Sequence, residues 1–99
     1  MRLTLPDTNI LLWPFNDGPD VIEEISKLIP QSRIKIADCV IRELEILNTS
    51  EARAALSLFN IFPIHSLGKG EADSLLFNAA KEGAVIVTND AELINRLKD

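Results

Sequence analysis

The chain has 99 residues, 46% of them hydrophobic and 25% charged, and a net charge of −5. This is the composition of one ordinary globular domain; it offers no apolar run near the roughly 20 residues that span a bilayer and no signal segment, because a strand-like run follows Arg2 at once. A single cysteine, Cys39, excludes an internal disulfide, and with His65 as the only histidine a structural zinc site is not expected either, so a reducing, cytoplasmic setting is the expectation.

Strand-like and helix-like segments alternate along the chain, the pattern of a parallel sheet with crossover helices. Residues 2–5 read as a short strand closed by Pro6. Residues 9–15 read as a short helix, stopped by Pro14 and the turn from Asn16 to Pro19. Asp20 with Glu23 forms a capping box, and Val21, Ile22, Ile25, Leu28 and Ile29 give the stripe of a helix ended by Pro30. Residues 33–37 are the second strand. Asp38 is expected to cap a helix running to Leu47, and Asn48 with Glu51 to cap the next, lined by Ala52, Ala55, Leu56 and Phe59.

Residues 61–64 read as a third strand, placed at a sheet edge by Pro63. The loop of Gly68, Lys69 and Gly70 leads into a helix over residues 71–82, with Gly83 as its stop. Residues 84–87 are continuously apolar, as buried parallel strands are, and Asn89 with Glu92 caps a last helix whose Leu93, Ile94 and Leu97 face inward. The expected fold is a three-layer α/β/α sandwich with a central parallel sheet of four strands, or five, in one domain over residues 1–99. Such sheets bind ligands beyond the carboxyl ends of their strands.

Four acids stand just past the strand-like runs: Asp7, Glu43, Asp73 and Asp90. If the runs share one sheet, the four carboxylates collect at one edge, and crowded carboxylates call for a cation. Singly, each has a plainer reading. Asp7 fits a turn or helix cap. Asp90 also sits at a helix start, although Asn89 with Glu92 already satisfies the capping pattern there. Glu43 shares a stripe with Val40, Leu44 and Leu47, and Asp73 one with Leu76, Phe77 and Ala80, where the helical pattern asks for apolar residues; both also fit the rim of a stripe that reaches water. Together they point to a divalent-metal site and to chemistry on a phosphate-bearing substrate. The net negative charge argues against a nucleic-acid binder only until bound cations reverse the local sign. Trp13, Pro14 and Phe15 are expected in the core rather than on a docking surface, and Cys39 is expected to pack rather than to act as a nucleophile.

On four ordered segments the chain resembles the PIN-domain ribonucleases. These are Pro6-Asp7-Thr8-Asn9, then Asp38-Cys39-Val40-Ile41-Arg42-Glu43-Leu44, then Gly70-Glu71-Ala72-Asp73, and Val87-Thr88-Asn89-Asp90. The second and fourth are most similar to an archaeal and eukaryotic branch that includes ribosomal-RNA-processing factors; toxin nucleases of toxin–antitoxin pairs share the fold. The resemblance implies a metal-dependent endoribonuclease acting on single-stranded RNA. Asp7, Asp73 and Asp90 would hold Mg²⁺ or Mn²⁺, with Glu43 as a ligand or an orienter of one. Thr88 would hydrogen-bond within the site, Asn9 and Glu71 are further candidates, and Lys69 is placed to touch a phosphate. The family usually adds a strand after the last helix. Its absence before Asp99 leads to the expectation of either a shortened chain or a homodimer covering the run at residues 84–87. An antitoxin or a ribosome-assembly factor is the other expected partner, besides RNA, and no membrane is involved. The alternative is a catalytically silent PIN-fold module that binds RNA or serves ribosome assembly. A phospho-acceptor signalling domain fits less well, since no lysine follows the last strand.

Overall fold

The computed structural model describes residues 2–89 and 91–98. Strand β1, Leu3–Pro6, lies at the centre of a parallel sheet, with β2, Arg33–Ile34, on one side and β5, Val85–Val87, on the other. Strands β3, Ile36–Ala37, and β4, Ile64–His65, form a separate parallel pair. The single sheet of four or five strands expected from the sequence is therefore replaced by a three-stranded and a two-stranded sheet.

The reason lies in residues 33–37. Successive N–H groups of an extended run face opposite edges. Arg33 and Lys35 donate to the carbonyls of Arg2 and Thr4 (2.8 and 3.1 Å), whereas Ile36 donates to the carbonyl of Pro63 (2.9 Å). The run spends its first half on β1 and its second on β4, so the two sheets meet end to end through it. The third strand also starts later than expected. Ile61 and Phe62 belong to the turn that leaves the preceding helix, and pairing begins only at Ile64.

Helix α1, Thr8–Leu12, is shorter than expected, because the chain tightens into a 3₁₀ turn over Trp13–Asn16 with Pro14 inside it. Helix α2, Val21–Leu28, starts at the N-cap the sequence indicates: the Asp20 carboxylate accepts from the Glu23 N–H at 3.2 Å. Helix α3 is Asp38–Leu47 and α4 is Ser50–Phe59. The cap between them is not Asn48, which takes the left-handed conformation that ends α3 (φ 49°). Thr49 caps α4 instead, its hydroxyl accepting from the Ala52 N–H at 3.0 Å. Helix α5, Ala72–Lys81, is followed by Gly83 at φ 105°, and α6, Ala91–Lys98, closes the described chain. The buried core is built from Leu5, Leu11, Val40, Leu44, Leu76 and Leu93. Within it α3 packs against α1, α4 and α5, and α5 against β5 and α6.

Candidate functional site

Register alone brings the first two polar groups together. β1 and β5 run parallel with Pro6 opposite Val87, so the next residues, Asp7 and Thr88, leave the sheet side by side. The Asp7 N–H donates to the Val87 carbonyl at 2.8 Å, and the Thr88 hydroxyl donates to the Asp7 carboxylate at 2.6 Å. Asp7 is only 3% exposed at the N-cap of α1, yet it makes no side-chain cap bond to that helix. Its plainer reading as a cap holds for the backbone position but not for the side chain, and among the described residues only one of its carboxylate oxygens has a hydrogen-bond partner.

Two further acids come from helices that flank this point. α3, bearing Glu43, lies against both α1 and α5, and Asp73 sits in the first turn of α5. Partial burial pushes the Glu43 carboxyl above the usual glutamate range, and the charges of Asp7, Asp73 and Glu71 push it further. The Thr8 hydroxyl is near enough to oppose that shift, but it falls short of full hydrogen-bond geometry and its oxygen has no such partner. Thr8 was not singled out from the sequence; its burial between Asp7 and Asn9 is the signal that marks it.

The rim reading of Glu43 is the one realised. Val40 and Leu44 are buried, whereas Glu43 is exposed overall. On α5 the buried line is Ala72, Leu76 and Ala79, which leaves Asp73 half-buried beside it. A raised glutamate pKa penalises the charged form in the folded state, so the cost is absent at low pH and grows as pH rises through the ordinary glutamate range. Glu43→Gln is therefore expected to raise the metal-free Tm near neutral pH and to leave it unchanged in acid. Solvent screening holds the gain below about 1 kcal/mol. Thermal melts of both proteins across pH check this, and an equal offset at every pH would rule out the repulsion.

Glu71 stands at the N-cap position of α5 without a side-chain cap bond and is exposed, as are Asn9 on α1 and Lys69 in the preceding loop. Asp90 lies outside the described residues. Cys39 is 3% exposed, and its thiol is pushed up by burial and by the Asp38 charge, as suits a packed residue rather than a nucleophile. Trp13 departs from the expected core position: 40% of it is exposed.

Asp38 also departs from expectation. The cap position of α3 is Ala37, and Asp38 is the first helical residue. Its carboxylate accepts from the N–H groups of Leu67 (2.8 Å), Cys39 (2.9 Å) and Gly68 (3.4 Å), and from Arg42 at 3.4 Å. Arg42 in turn donates to the Gly68 carbonyl. These bonds hold the Asp38 carboxyl below the usual aspartate range, chiefly through Leu67. They tie α3, which carries Glu43, to the segment that leads through Lys69 to Glu71 and Asp73.

The donor set suits a small hard cation: carboxylate oxygens that repel one another, one of them oriented by a hydroxyl. Among the described residues no three of His, Cys, Asp and Glu close into a ligand cage. Mg²⁺ does not need one, because it keeps waters and is commonly held by one or two carboxylates. Among the described residues no helix is long and apolar enough to cross a membrane.

In a parallel α/β domain the carboxyl ends of the strands are where ligands bind, and Asp7 stands at that edge. The comparison with known proteins narrows the class. The family described as PIN like domain matches residues 4–99. Ribonuclease VapC9 from Archaeoglobus fulgidus is 32% identical over 99% of this chain and 77% of its own length. The solved structure of the PIN domain endonuclease Utp24 superposes with a TM-score of 0.82 over 97% of this chain and 77% of its own, at 24% identity, which speaks to fold. The chain belongs to the PIN-domain family.

Proposed function

We propose that this protein is a divalent-metal-dependent endoribonuclease that hydrolyses phosphodiester bonds of single-stranded RNA. One observation carries the reading: the β1–β5 register sets the nearly buried Asp7 beside Thr88, whose hydroxyl donates to its carboxylate at 2.6 Å, where α3 and α5, the helices that bear Glu43 and Asp73, pack together. The match to a named ribonuclease over nearly the whole chain supports RNA as the substrate. Asp7 and Asp73 would hold Mg²⁺ or Mn²⁺ with Asp90, and Glu43 would serve as a further ligand or orient one. When bound, the ion would activate a water and neutralise charge on the phosphate being cleaved. The Thr88 hydroxyl, donating to one Asp7 oxygen, would keep the other turned toward the ion. The exposed Lys69 would meet a substrate phosphate. Ribosomal-RNA processing, RNA decay and toxin activity are all compatible with this chemistry; they differ in partner, a ribosome-assembly factor or an antitoxin. A homodimer would place a second copy along β5, an edge strand of the three-stranded sheet.

A second reading, a catalytically silent PIN-fold RNA-binding or ribosome-assembly module, draws on the open spacing of the acids. A calorimetric Mn²⁺ titration of wild type against Asp73→Asn separates the two. Saturable binding lost in the variant, together with Mn²⁺-dependent cleavage of a generic single-stranded RNA, is the expected result. Metal binding that is the same in both proteins sinks the site; binding without cleavage leaves the silent module.

A further inference from the structure

Beside the acid site lies a cleft of about 310 Å³ between α2 and the exit of β5. Ile10, Val21, Ile25 and Val87 give it an apolar floor, Trp13 and Pro19 a flat wall, and Glu24, Thr88 and Asn89 a polar rim. Thr88 belongs to both places: its hydroxyl grips Asp7, and the residue lines this cleft. Whatever fills the cleft therefore lies one residue away from the carboxylate proposed to act on phosphate.

The wall is rigid. Trp13 begins the 3₁₀ turn, and the Gly18 N–H returns to its carbonyl at 2.9 Å. The indole rests on Gly18 so closely that a Cβ there would collide with both the ring and the Trp13 carbonyl. Only a glycine lets the turn close, and Trp13 remains 40% exposed beside the apolar cleft. Fold stability does not call for that exposure, since the neighbouring Ile10, Val21 and Ile25 are almost wholly buried without covering the ring.

We propose that this cleft is a nucleobase subsite, in which one unpaired base flanking the scissile phosphate stacks on Trp13 while Glu24 and Asn89 face its polar edge. The subsite rests on the ribonuclease reading, because continuity with the acid site is what selects a base over any other flat apolar group. A base has the two properties the cleft asks for: an apolar face for the indole and a polar edge for the rim. Base pairing would hide the edge and block the face, so the subsite accepts single strands.

Trp13 is the only tryptophan and the chain has no tyrosine, so intrinsic emission reports this ring alone. With Mn²⁺ present and emission read before turnover, a short single-stranded oligoribonucleotide is expected to quench that emission saturably. A ribose-phosphate oligomer without bases is expected to leave it unchanged. By fluorescence anisotropy of a labelled oligoribonucleotide, Trp13→Ala is expected to bind about 5- to 150-fold more weakly, the size of one base stack, and Trp13→Phe to recover most of the loss. In turnover the Trp13→Ala defect falls on KM and leaves kcat nearly intact; should this variant misfold, Trp13→Phe and wild-type emission decide alone. RNA that binds without altering emission, or binds Trp13→Ala as tightly as wild type, overturns the subsite while the ribonuclease reading stands. Emission that shifts with protein concentration in the absence of RNA gives the cleft to a second copy of the chain and overturns it too. An absence of any RNA binding or cleavage overturns both.

Discussion

Asp7→Asn is expected to lower kcat/KM for RNA cleavage by about 10³-fold, roughly 4 kcal/mol of lost transition-state stabilisation, and to abolish Mn²⁺ binding. The change removes one charge and keeps the shape. The backbone bonds that place the residue, from its own N–H to Val87 and from the Leu11 N–H to its carbonyl (2.8 and 3.2 Å), do not involve the side chain. Folding is therefore expected to survive, and the metal-free Tm to stay level or rise, because Asp7 is one of the charges that push up the Glu43 carboxyl. Thr88→Val provides the graded companion. It deletes the hydroxyl that donates to Asp7 at 2.6 Å but leaves every carboxylate in place. The expected loss is smaller, about 10- to 100-fold in metal affinity or activity, as for other residues that orient a ligand rather than supply it. Steady-state cleavage and Mn²⁺ titration on the three proteins give the ranking. A Thr88→Val loss as deep as that of Asp7→Asn would mean that the hydroxyl itself meets substrate; wild-type activity in Asp7→Asn would remove the site from this edge of the sheet.

Local signals were legible in the sequence; partners distant along the chain were not. The cap at Asp20 uses a bond within a few residues, and the Asp20 half of the expected box forms. The apolar line of α4 likewise follows from helical period, whereas on α3 Leu47 is 46% exposed and on α5 the buried line is Ala72, Leu76 and Ala79 rather than Leu76, Phe77 and Ala80. Residues 33–37 were recognisable as extended, but no local property says that Ile36 turns to Pro63 while Lys35 stays with Thr4. Residues 61–64 have the composition of a strand, yet Ile61 is 79% and Ile64 63% exposed, so hydrophobicity there marked an exposed turn and edge rather than a buried strand. The acids were found because they interrupt apolar patterns at the ends of runs. The pattern overstated how deeply Glu43 sits, since a residue one step off a stripe's centre reaches water. Thr8 and Asp38 acquire their parts only when chain segments meet, and Trp13 is exposed because Gly18 closes a turn against it.

Asp38→Ala is expected to destabilise the fold by about 1.5–3 kcal/mol, the scale of hydrogen bonds to a charged acceptor. For a domain of this size that lowers Tm by roughly 6–24 °C. Most of the loss resides in the two short bonds, from Leu67 at 2.8 Å and Cys39 at 2.9 Å, both to the same carboxylate oxygen. The other oxygen meets longer donors, Gly68 and Arg42 at 3.4 Å and Ser66 at 3.5 Å. An asparagine can keep its carbonyl at the first oxygen's place while its amide turns toward those donors, so Asp38→Asn should fall between wild type and alanine. Bonds to the ionised group lower the Asp38 pKa in the fold, and a lowered aspartate pKa stabilises above the ordinary aspartate range and loses that stability as pH falls through the folded value. The gap between wild type and Asp38→Ala is thus expected to be full at neutral pH and to narrow in acid. Amide exchange supplies the local readout. The Leu67 N–H, bonded to a residue 29 positions away, should exchange faster in the alanine variant, while the amides of β1 follow global stability only. The consequence reaches the active edge, because this clamp joins the helix that carries Glu43 to the segment that carries Lys69 and Glu71. If Asp38→Ala melts as wild type does near neutral pH, with Leu67 exchange unchanged, Asp38 does not hold that segment.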